Sequence, residues 1–136
     1  MADRSFHSPQ TQGVRHVHYD CSIAIVGGAP QFVEGDKAGE ATGSYLTLAD
    51  TGTGQITVTT RDKFQGSVSC VVTVNKATPS LNAVCNTGVP TQNADGTWSV
   101  LILTGTNADG TFSAADLAAG DRVSLHWVLR NSSVKP

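Results

Sequence analysis

Apolar residues recur at every second position in short runs, and each run stops at a cluster of Gly, Asp, Asn, Thr or Pro. A strand turns successive side chains to opposite faces, so this period marks a half-buried strand and not a helix. In 17–25, Val17, Tyr19, Cys21, Ile23 and Ile25 share one face, while His18, Asp20, Ser22 and Ala24, with His16 just before them, share the other. Gly27-Gly28 ends that run, and Gln31-Phe32-Val33 reads as a further short strand. A loop over 35–43 leads to a strand over 45–48 and a turn over 50–54. Ile56, Val58 and Thr60 continue the alternation, and 61–66 is a loop. Val68, Cys70, Val72 and Val74 then fall in phase, as do Leu81, Ala83 and Cys85. Trp98, Val100 and Ile102 alternate with apolar Leu101 and Leu103, a pattern that predicts cover on both faces. Val123, Leu125, Trp127 and Leu129 form the last clear face.

This pattern predicts an all-β fold, an antiparallel β-sandwich or barrel of about seven to eight short strands. The residue usage agrees. The chain has 16 Thr, 15 Val and 14 Gly but only two glutamates, so strand and turn formers dominate and exposed helix formers are scarce. One short segment, 113–119, is a helix candidate, with Ser113 to cap it, Asp116 in the first turn and Gly120 to end it, although a loop fits equally. NADGTWS at 93–99 returns as NADGTFS at 107–113, which places two similar turns at opposite ends of one strand. Residues 1–13 hold a single large apolar side chain, Phe6, and read as an extended N-terminal arm. The β domain then runs over 14–130, and 131–136 is a C-terminal tail.

The net charge of -2 and the 15% of charged residues exclude a basic nucleic-acid binder that works by neutralising phosphates. No apolar run reaches the roughly 18–20 residues of a membrane-spanning helix, so no membrane partner is expected. The three cysteines, Cys21, Cys70 and Cys85, are odd in number and in phase with apolar neighbours. With no apolar leader at the start, they read as free, buried thiols of a protein made in a reducing cytoplasm.

Few residues assemble into recognisable chemistry. The sequence lacks a nucleophile elbow, a phosphate loop and an evident acid/base pair, so the expectation is a protein that is not an enzyme and needs no cofactor. His16 and His18 lie on one strand face about 6.6 Å apart, with Asp20 following, a weak metal-site candidate that needs a third ligand such as His126 or His7. Most strand faces of this kind simply meet solvent or a partner. Phe64 has no strand phase and is left to cover the core end or to touch a partner. Phe6 is the better anchor, because an isolated aromatic on a polar arm gains energy only inside a pocket. Tyr45 and Trp98, with nearby Asn and Asp, form a candidate shallow sugar site.

Three blocks carry a resemblance. They are MADRSF with the Gln/Thr-rich arm, TGTGQITVT followed by Asp62-Lys63-Phe64, and GDRV followed by VLRNSS at the end. In this order they resemble small β-rich virion structural proteins of tailed bacteriophages, and 77–97 has no counterpart in that resemblance. The resemblance implies a capsid decoration (cement) protein on the virion surface, synthesised in the host cytoplasm. Its implied partners are the major capsid protein and copies of itself, as a trimer or dimer. Arg4, Phe6, Phe64 and Arg130 are then the expected partner contacts. A tail, connector or fibre component, or a glycan-binding module, is the alternative.

Overall fold

A computed structural model describes residues 16–130. Ten strands follow one another: β1 (His16–Val26), β2 (Ala29–Phe32), β3 (Leu46–Gly52), β4 (Gln55–Thr60), β5 (Gly66–Asn75), β6 (Ala83–Thr87), β7 (Thr91–Gln92), β8 (Trp98–Ala108), β9 (Thr111–Ala114) and β10 (Arg122–Arg130). No helix occurs among the described residues. One sheet has the order β2-β1-β10-β5. The other has the order β3-β4-β8-β6, with β7 and β9 also paired to β8. All pairings are antiparallel, so the all-β expectation holds and the two sheets form a β-sandwich.

The alternation defines the core. Ile23, Val123, Leu125, Trp127 and Leu129 of the first sheet face Leu46, Leu48, Ile56, Val58, Val100 and Ile102 of the second. Each such side chain stabilises by about 1.5–3 kcal/mol on leaving water. Trp127 is fully buried, and its indole N–H donates to Ser67 Oγ at 3.0 Å, so the one polar atom of the ring is satisfied. The two NADG stretches do sit at opposite ends of β8, as expected.

Four expectations change. Segment 113–119 is not helical: β9 occupies its start, and Asp116 accepts from the Gly54 N–H of the β3–β4 turn in the same sheet at 2.7 Å instead of capping a turn of helix. Leu81 lies in the turn before β6, fully exposed, because the strand begins only at Ala83. Val68 leaves the phase of Cys70, Val72 and Val74. In the β5–β10 ladder Ser67 faces Leu129 and Ser69 faces Val128, so Val68 is the extra residue of a bulge and stands half exposed. The outer face of β8 has no layer over it among the described residues, and Leu101 is exposed there.

Candidate functional site

The first sheet brings the two ends of the described chain together. His16 pairs with Arg130 on the neighbouring strand, and Gly66 of β5 pairs with Arg130 from the other side. The Gln65 N–H donates to the Arg130 carbonyl at 2.8 Å, which fixes the end of β10 against the loop before β5. The first and last described residues, His16 and Arg130, therefore stand at one corner of the sheet, on adjacent strands. Arg4, Phe6, His7, the arm over 1–13 and the tail over 131–136 lie outside the described residues.

Phe64 sits beside this corner, and the structure gives it the first of its two readings. It is 4% exposed and closes one end of the core, so its ring is not offered to a partner. Its backbone is held on both sides: the N–H donates to Gly96 at 3.1 Å, and the carbonyl accepts from Trp98 Nε1 and Gln92 Nε2, both at 3.0 Å. The sequence carried no signal for this, since the lock joins two loops that are about thirty residues apart and its bonds go mostly to backbone atoms.

Above Phe64 the sandwich opens into a hollow of about 930 Å³ between the loops at 34–37, 43–45 and 61–64. Tyr19 stacks on Tyr45 with ring centroids 5.6 Å apart and meets Phe64 edge-on at 5.8 Å. Partial burial pushes the Tyr19 hydroxyl pKa up, and the nearby Asp62 charge adds to it. Tyr45 is exposed, with Asp62, Lys63, Asp36 and Lys37 around the hollow. Trp98 lines a different hollow, with Val68 and Val89, so the two aromatics expected to share a sugar site do not.

On the outer face of the first sheet Asp20 lies opposite His126, and His126 Nδ1 bonds to Asp20 Oδ1. The His18 ring lies 5.5 Å from that of His126, while His16 sits two residues further along, at the corner. Among the described residues no group of three His, Cys, Asp or Glu side chains is arranged to hold a metal ion. His16 and His18 thus stand on a polar strand face. The register explains His126, which is brought to Asp20 by the β1–β10 ladder.

Burial pushes the Cys21 thiol up to about 12, helped by Asp20 and Cys70, and burial alone takes Cys70 and Cys85 to about 11. These raised values are the opposite of the lowered pKa that activates a reactive cysteine. No family model, curated protein or solved structure matches the chain.

Proposed function

We propose that this chain is a structural component of a tailed-phage virion, a capsid decoration protein that binds the major capsid protein shell through its terminal segments. The observation that carries the reading is the corner: His16 and Arg130 are ladder partners, so both terminal segments start from one place on a self-supporting sandwich. Two segments that leave together reach the same partner surface, and extended segments bind by laying backbone groups and a few anchors along it. The order of the MADRSF, TGTGQITVT and VLRNSS blocks supports the same class.

A variant lacking residues 2–13 tests this. It should keep the thermal transition of the full chain and fail to occupy purified, undecorated capsids. Normal occupancy would remove the arm from the mechanism. Copy number per particle separates a shell protein, present in hundreds, from a tail, connector or fibre component present in about a dozen.

A glycan-binding reading has one observation in its favour, the exposed Tyr45 ring stacked on Tyr19 beside Asp62. A glycan array without hits, or hits unchanged in Tyr45→Ala, would dismiss it.

A further inference from the structure

A sandwich of two four-strand paths has four lateral edges, and an edge with bare N–H and C=O groups is a template for another strand. Three of the four edges here are blunted. β2 is four residues long, contains Pro30, and is capped by its own loop: the Phe32 N–H donates to Glu40 and the Gly39 N–H to Phe32. β3 is covered in the same way by Ala41 and Gly43, which bond to Leu48 and Leu46, with a bridge from Thr42 to Thr47. β6 spans only five residues. The fourth edge is different. β5 spans ten residues, GSVSCVVTVN, with no charge and no proline, and four of its residues are valine.

The start of β5 carries a bulge at Val68, and β6 of the other sheet packs close to β5 without hydrogen-bonding to it in a ladder. From 69 to 75 the strand is regular, bonded to β10 on one side and without a ladder partner on the other among the described residues. Val71, on the solvent face, is 54% exposed at the middle of this stretch. We propose that β5 is a homodimerisation edge, where two copies pair antiparallel along 69–75 and join their four-stranded sheets into one sheet of eight strands.

The occupant is a second copy because the edge suits itself. A two-fold axis sets a strand against its own sequence, so any charge on it meets its like nearby, and like charges opposite one another destabilise. The stretch 69–75 carries none. Its β-branched side chains pack well across a pair on both faces, with Val72 and Val74 inward and Val71 and Thr73 outward. Sheet-edge pairing also leaves the corner at His16 and Arg130 clear of the paired stretch, since Arg130 faces Gly66 beyond the bulge. The inference stands apart from the virion reading.

Sedimentation of the full chain from micromolar to near-millimolar concentration, with a Val71→Lys/Thr73→Lys variant alongside, tests it. The wild type should reach a dimer, and the variant should weaken association at least about tenfold, because edge lysines oppose strand addition. Both substituted residues point to solvent, so the variant should keep its thermal transition. Leu81→Lys, at the exposed turn, should associate like the wild type. Amide exchange in 69–75 should slow as the wild type is concentrated. A wild type that stays monomeric throughout, a trimer, a dimer indifferent to the lysine pair, or a dimer broken by Leu81→Lys would each overturn the proposal.

Discussion

Asp121 is a buried carboxylate that organises the approach to β10. Burial pushes its pKa up, but Lys76 Nζ at 2.5 Å, the Ala77 N–H at 2.9 Å and the Ala118 N–H at 3.0 Å outweigh that and hold it below the usual carboxylate value. The lowered folded pKa means that this stability is present above the unfolded value, about 3.9, and is lost as pH falls through the folded one. Asp121→Ala leaves three donors without their acceptor and should cost about 3 kcal/mol, or roughly 10 °C in Tm. The pH dependence of unfolding below about pH 4 should flatten in the variant. Glycines show a second residue-scale contrast. Gly54 and Gly110 both have positive φ, +68° and +77°. A Cβ at Gly54 would lie 2.4 Å from the Thr104 carbonyl oxygen, whereas Gly110 has open space. Gly110→Ala should therefore cost only the left-handed penalty, about 1–2 kcal/mol, and Gly54→Ala clearly more. Denaturant midpoints decide between them. The three thiols, with pKa values of about 11 to 12, should react with iodoacetamide at pH 8 about a hundredfold slower in the folded chain than in the unfolded one.

At the scale of elements, identical local sequence takes two shapes. In the second NADG stretch, Ala108 pairs with Thr111, so Asp109-Gly110 is a two-residue hairpin turn and both residues have positive φ. In the first, Gln92 pairs with Trp98, the loop is longer, and only Gly96 has positive φ. There Asp95 accepts from the Thr97 N–H and hydroxyl, and those bonds hold its carboxyl below the ordinary value. The turn positions were readable from Asp-Gly, but the turn type follows from where the flanking strands pair. The Val68 bulge was not readable for the same reason, since two-residue phase continues through it in the sequence. Central strands should exchange their amides most slowly. β10 lies between β1 and β5 and supplies Trp127, Val123 and Leu129, so its central amides should approach the global unfolding free energy. β2, β7 and β9 are short and peripheral and should exchange much faster in native-state hydrogen exchange.

At the scale of the whole molecule, β1 and β10 are far apart in sequence yet adjacent in the sheet, and this pairing sets the corner from which both terminal segments depart. The same pairing brings Asp20 to His126 and leaves β5 at the rim. Trp127→Ala would empty the centre of the first sheet, free the Ser67 hydroxyl of its partner, and should cost about 3–5 kcal/mol. If the corner is the binding element, Trp127→Ala and the deletion of 2–13 should act differently on capsid occupancy. The deletion should abolish it at unchanged Tm, and the core variant should lose it only where the fold melts.

Alternation by itself determined the fold class and most inward-facing residues, because side-chain direction in a strand is a strictly local property. Val123, Leu125, Trp127 and Leu129 needed nothing but their spacing. Tertiary structure decided strand order, the bulge at Val68, the burial of Phe64 and the place of β5 at the rim of its sheet among the described residues. Each of these depends on which distant strand supplies the hydrogen bonds, and a ladder partner tens of residues away leaves no mark on the local pattern.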